Sequence, residues 1–253
     1  MTETDTFRSG QCPAVSDLSG PLLVALLSGD ERGVEEAFGA AGGRGADLAV
    51  VARDLIEPAL DEVGRMWRAG ELSVAEEHLA TALVFRAFSR QAASVACPPL
   101  GAPRLVLTCL AGEFHELGVR IVSEVARSSG WQAEALGANT PREAAIRYIA
   151  LRRPDAVGLS LALAAHVAEC SVAVEEIRKA APGAKILVGG FAFRHDRALG
   201  DLTGADVCFG DAVCLKEWLL ANRPCRGEAE TPRADACRTR VAEALRKKTG
   251  GGR

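Results

Sequence analysis

LTCLAGEFHELGVRIV, Leu107 to Val122, decides how the second half of this chain folds. It is apolar through Leu110, presents Gly112, Glu113 and His115, and then settles into apolar residues three and four apart. A buried strand, a polar loop and an amphipathic helix in direct succession make one unit of an alternating strand and helix architecture. The rhythm repeats downstream. RLVLTCL, WQAEALG, DAVGLSL, KILVGG and ADVCFG read as strands, each followed by a helical segment, of which FRHDRALG is the shortest. The expectation is a five-stranded parallel, doubly wound sheet of flavodoxin or Rossmann-like type, strand order 2-1-3-4-5, spanning residues 104–222.

Upstream the texture is different. Between Leu18 and Val95, segments such as LSGPLLVALLSGD, ADLAVVARDLIEPALDEVGRMW and VAEEHLATALVFRAFSRQAA carry apolar residues at helical spacing, joined by short Gly-rich turns. They predict a bundle of four or five helices over 18–97, preceded by a polar leader, 1–17. Pro98, Pro99 and Pro103, with Gly101, make a stiff linker over 98–103. Residues 223–253 form a basic tail with nine Lys or Arg against four Asp or Glu, and DACRTRVAEALRKK has the pattern of a short helix.

With 253 residues the chain can hold two cored units. A formal net charge of -3 excludes a polyanion binder as a whole. No apolar run reaches the roughly 18 residues a membrane span needs, and no secretory signal opens the sequence, so the expected setting is cytoplasmic with no membrane partner. The eight cysteines then read as thiols: Cys109 and Cys208 in apolar segments, Cys12, Cys225 and Cys237 in polar tails.

In a sheet of this order ligands meet the carboxyl ends of the strands. Gly112, Glu113, His115 and Gly118 follow the first strand, Ser160 ends the third, and Gly189 with Gly190 ends the fourth. An imidazole offers a ligating nitrogen, and a carboxylate two residues earlier can hold the other ring nitrogen. His166 opens a helix near Ser160 and reads first as a surface or capping residue, with contact to a ligand as the alternative; His195 has no comparable context. GxGxxG and GxxxxGK[ST] are absent at a strand end, which removes the dinucleotide and nucleoside triphosphate readings.

GEFHELG resembles the Asp-x-His-x-x-Gly signature of cobalamin-binding domains, with Glu113 in the aspartate position. The 41 residues between Gly118 and Ser160, and the 26 between Ala162 and Gly189, are similar to that family's spacing on to Ser-x-Leu and Gly-Gly, with Ala162 replacing the leucine. The resemblance implies that His115 is the lower ligand to cobalt and that Ser160, Gly189 and Gly190 line a slot for the nucleotide tail. Proton competition should then weaken ligation below pH about 6.5, less so if Glu113 holds the far nitrogen.

In the bundle, Ser73 and Glu76 form a capping box, which leaves Glu77 and His78 in the first turns of the helix. Trp67, nine intervening residues, then Glu77 and His78 resemble the helical cap of CarH-type cobalamin photoreceptors. That likeness implies Trp67 as the cover of the upper cobalt face, Glu77 as a polar contact to the upper ligand and His78 as a candidate upper-face metal ligand. Arg68 stands where that family has its light-state histidine. The order of parts also resembles the AerR and PpaA antirepressors, which lack a helix-turn-helix module. The implied function is a light-responsive regulator, not an enzyme. It would hold adenosyl-, methyl- or hydroxocobalamin and act on a repressor protein of CrtJ or PpsR type, touching DNA only indirectly or through the basic tail. Two alternatives stay open: a corrinoid carrier for methyl transfer, and a heme-binding sensor of the same fold with His115 on iron. Oligomeric state is not legible.

Overall fold

The computed structural model describes residues 13–95 and 97–224, the side chains of Pro13, Ala14 and His195 excepted; Cys12, Cys225, Cys237 and the expected tail helix lie outside the described residues. A turn of helix, α1 (Pro13–Ser16), places Val15 in the bundle core at 1% exposure, so the bundle takes in part of the expected leader. Helix α2 (Ser19–Ser28) buries Leu22, Ala25 and Leu26 and stops at Gly29, whose left-handed φ of 66° lets its N–H turn back onto the carbonyls of Ala25 and Leu26. Asp30 caps α3 (Glu31–Gly43) by accepting from the Arg32 amide, and Asp47 caps α4 (Leu48–Val50) through the amides of Ala49 and Val50.

α4 runs through a π-helical turn, Val51–Ile56, into α5 (Glu57–Arg68). The cause is Pro58: its ring has no N–H to give the carbonyl four residues back and would crowd it, and a locally widened turn removes the conflict. Asp54, fully buried in that turn, is held by the guanidinium of Arg53 through bonds of 2.7 and 2.9 Å. The capping box expected for α6 (Val74–Ala92) is present, with Ser73 Oγ accepting from the Glu76 amide and Glu76 accepting from the Ser73 amide. Ser73→Ala should therefore lower the unfolding free energy by about 1 kcal/mol, read as a shift in a urea denaturation curve.

The second unit is the parallel sheet, in the order β2-β1-β3-β4-β5. Its strands are β1 (Arg104–Thr108), β2 (Gln132–Ala135), β3 (Ala156–Ser160), β4 (Lys185–Gly189) and β5 (Val207–Phe209). Both faces are covered, which is why the central strands read as unbroken apolar runs. Val106, Val157, Leu159, Ile186 and Val188 pack on one side, in the core shared with α8 (Arg142–Arg152) and α9 (Val167–Ala180). Leu105, Leu107, Ala156 and Leu187 face the other side, towards α7 (Leu117–Ser128) and α12 (Ala212–Ala221). The short fourth connection is two brief helices, α10 (Phe191–His195) and α11 (Ala198–Asp201). Among the described residues no helix is long and apolar enough to cross a membrane.

The bundle sits on the sheet unit through a shared core. Ile121 and Val125 of α7 and Ala212 and Val213 of α12 belong to the same buried cluster as Leu55, Val84 and Phe88 of the bundle. Arg120 of α7 stacks 5.0 Å above the Phe85 ring of α6, and Lys216 of α12 reaches Asp47 at 2.7 Å.

Candidate functional site

The loop after β1 is organised by one carboxylate. Glu113 is 1% exposed, and both of its oxygens are occupied. Oε1 accepts from the His115 amide at 3.1 Å and meets His115 Nδ1 at 2.5 Å. Oε2 accepts from the Ala162 amide at 2.9 Å and meets His166 Nδ1 at 3.0 Å. The loop is also tied to the one after β2, because Gly112 donates to Asn139 Oδ1 at 2.9 Å and Asn139 donates to the Glu113 carbonyl at 2.8 Å. Three strand ends thus meet at Glu113. The extra methylene that distinguishes it from aspartate belongs to a side chain spanning from its own loop to the loop after β3.

Burial would raise the Glu113 carboxyl, but hydrogen bonds from the His115 ring, the Ala162 and His115 amides and His166 hold it at about 2. Its anchoring is complete above the ordinary carboxylate value and is lost only as pH falls towards about 2. His115 moves the other way. Its hydrogen bond to Glu113 raises it above the usual histidine value, burial opposes, and the charges of Glu113 and Glu77 add to the rise. Glu77 belongs to α6, so the bundle brings a carboxylate within electrostatic reach of this imidazole. Holding Nδ1 thereby strengthens the proton's competition for His115, and the acid weakening of any ligation begins above pH 6.5, contrary to the expected sign.

The structure corrects the reading of His166 as a surface or capping residue. Its side chain is 24% exposed and its Nδ1 lies on Glu113. The signal for it was its place in the loop directly after β3, six residues beyond Ser160. Ser160 faces Gly118 across the sheet end, where a Cβ on Gly118 would sit 3.4 Å from Ser160 Oγ, so the start of α7 lies in contact distance of the end of β3. Gly190 has a φ of 115°, and a Cβ on it would lie 2.4 Å from the Leu161 carbonyl oxygen. A Cβ on Gly189 would lie 3.4 Å from the Phe209 carbonyl. Gly190 is thus required by the close passage of β4 over the loop after β3 before any ligand is considered, whereas Gly189 is in ordinary contact with β5.

On the bundle side, Glu77 accepts from Thr81 at 2.9 Å and holds His78 Nδ1 at 2.6 Å, repeating the pairing of Glu113 with His115. His78 is 74% exposed and Trp67 45% exposed, so both present themselves to solvent. Phe85 of the same helix packs under Arg120. A contact that the sequence did not suggest joins the two units: Arg194 of α10 donates to Glu57 Oε2 at 2.7 Å and to Asp61 Oδ1, both on α5.

The donor set suits a metal that arrives ringed by a macrocycle. His115 supplies one imidazole whose Nδ1 is fixed by a buried carboxylate, which leaves Nε2 as the ring atom that could bind a metal. The pairing raises the basicity of that nitrogen, and its partner is immobilised from three directions.

Residues 103–214 match a family described as B12 binding domain, and residues 20–90 match a second family with the same description. The HTH-type transcriptional repressor CarH of Myxococcus xanthus is 33% identical over 160 residues, covering 62% of this chain and 52% of that protein. The repressor CarA of the same organism is 32% identical over 157 residues, with the same shares covered. The chain spans about half the length of these curated relatives. Among solved structures, the monomethylamine corrinoid protein of Methanosarcina barkeri superposes with a TM-score of 0.65 at 16% identity, over 82% of this chain and 99% of that one, which establishes likeness of fold.

Proposed function

The chain belongs to the B12 binding domain family, and from that premise we propose that it is a cobalamin-holding, light-responsive regulator of transcription that acts through a protein partner. The observation that carries the reading is the His115 imidazole, fixed through Nδ1 on buried Glu113, with Glu77 of the bundle in electrostatic reach of the same ring. A regulator rather than an enzyme is supported by the two relatives named as transcriptional repressors. The proposed partner is a repressor of CrtJ or PpsR type.

In this reading His115 would ligate the cobalt, Ser160, Gly118, Gly189 and Gly190 would border the tail slot, and residues 18–97 would cap the face of the corrin away from His115. Trp67 would cover that face, Glu77 would contact the group bound there, and His78 is the candidate to take its place. Cobalamin would supply a light-cleavable bond from cobalt to carbon. The chain's own part is to hold His115 in one orientation through Glu113, to exclude water beneath Trp67, and to offer a differently docked cap once the upper group has gone. Moving such an equilibrium from 1:99 to 99:1 takes about 5.5 kcal/mol of differential affinity.

The test adds adenosylcobalamin, methylcobalamin, hydroxocobalamin and hemin separately to apo protein in darkness. Spectra, hydrodynamic size and binding to a purified repressor of the proposed type are recorded before and after illumination. Uptake of adenosylcobalamin with a light-dependent change in both spectrum and repressor binding is expected. Uptake without any light-dependent change, together with methyl transfer to a thiol acceptor, would replace the sensor by a carrier; selective uptake of hemin would replace cobalamin.

The role of Glu113 has its own prediction. Glu113→Gln should weaken hydroxocobalamin binding by about 10- to 100-fold at pH 8, because a neutral amide raises ligand basicity less. In that variant the acid limb of the binding curve should move down towards the ordinary histidine value, since the charge that lifts His115 has gone. Absorbance titrations between pH 5 and 8 read both, and superimposable curves for the two proteins would remove Glu113 from the mechanism.

A further inference from the structure

We propose that Arg194 is a latch between the segment that receives the nucleotide tail and the helical cap, so that cap closure selects corrinoids carrying a complete tail. This rests on the cobalamin reading above. Helix α10 begins directly after Gly190, at the mouth of the tail slot, and Arg194 lies one turn into it. Its side chain is 19% exposed and reaches across to the helical bundle. It donates to Glu57 and Asp61, carboxylates four residues apart and so on one face of α5, while its guanidinium stacks 5.0 Å over the ring of Phe191 in its own helix. Glu57 is enclosed enough that burial drives its carboxyl up to about 7, although the charge of Arg194 pulls the other way. Glu57 keeps 28% and Asp61 41% of its side-chain surface exposed, so the contact is only half-shielded and its bonds are partly screened.

Each end of the latch is tied to one face of the bound corrinoid. On the sheet side, the backbone at Gly190 packs against the Leu161 carbonyl, and the next residue, Ala162, donates its amide to Glu113, the anchor of His115. The start of α10 is thus fixed relative to the lower-ligand loop. On the cap side, α5 runs from Glu57 to Arg68 and carries Trp67 in its last turn. One helix connects the latch to the residue proposed to cover the upper face. A tail filling the slot beside Gly189 and Gly190 would hold α10 in place, and through Arg194 hold α5 down. A corrinoid that keeps its ring but lacks the nucleotide tail would engage His115 and leave the latch segment without its ligand.

The experiment uses the full chain with hydroxocobalamin or diaquocobinamide, the tail-less analogue. Hydrogen exchange of the backbone amides in 57–68 is followed alongside the visible spectrum. In the wild type, cobalamin should slow exchange across α5 about two- to fivefold more than cobinamide does, the scale on which loss of a partly exposed ion pair is felt. In Arg194→Ala the two corrinoids should protect α5 equally, with the spectrum of His115 ligation unchanged. Glu57→Gln combined with Asp61→Asn makes the same comparison from the other side and stands in if Arg194→Ala does not fold. Equal protection of α5 by both corrinoids in the wild type overturns the latch, as does a difference that survives in the variants. A chain whose spectrum shifts with neither corrinoid removes the cobalamin reading itself, and the latch with it.

Discussion

Replacing His115 by alanine should lower the affinity for hydroxocobalamin by at least about 100-fold and abolish the spectrum of imidazole-ligated cobalt. The estimate starts from the loss of 10- to 100-fold typical when only the partner of a metal-ligating histidine is removed; deleting the ligand itself costs no less. The fold should survive. His115 has an exposed side chain and contributes its ring to no buried cluster, and the remaining bonds of Glu113 to Ala162 and His166 keep the loop joined to β3. An unchanged far-ultraviolet spectrum and denaturation midpoint should therefore accompany the loss of binding. Imidazole added to the variant at millimolar concentration should restore part of the spectrum, because the space above Glu113 is the size of the deleted ring. Binding and colour equal to the wild type would remove His115 as the metal ligand.

Gly190→Ala should be the most destabilising single substitution at the site, at about 3 kcal/mol or more, with binding lost along with the fold. Two independent penalties combine. The backbone there has a φ of 115°, which lies in a region that side chains on L-residues rarely enter and costs about 1–3 kcal/mol. A methyl group would also sit 2.4 Å from the Leu161 carbonyl oxygen, an atom of the backbone that cannot swing aside. Gly158→Ala provides the contrast. Its Cβ would approach Cδ2 of Leu107, at the end of a side chain that has other rotamers, so a smaller loss is expected. Denaturation curves for the two variants decide it; equal midpoints would mean that the passage of β4 over the β3 loop is more yielding than its geometry implies.

The element types were legible because they depend on contiguous residues, and the strand order followed from their alternation by the rules of doubly wound sheets. LTCLAGEFHELG shows its strand, its loop and its helix by the change of period, and GEFHELG places the carboxylate and imidazole two residues apart, where a single loop can join them. The capping box at Ser73 and Glu76 is local in the same way. The π-helical turn was hidden because Pro58 announces a disturbance of the helix without saying whether the chain will kink, stop or widen.

By itself, then, the sequence determined the two units, their element types and the pairing of a carboxylate with an imidazole in the loop after the first strand. Only the tertiary structure decided who fills the second oxygen of Glu113 and where Arg194 reaches. His166 lies 53 residues from Glu113, and Arg194 lies 137 and 133 residues from Glu57 and Asp61. Such pairs have no spacing to be read, because the layering of helices on the sheet brings them together and their separation along the chain is set by everything folded in between.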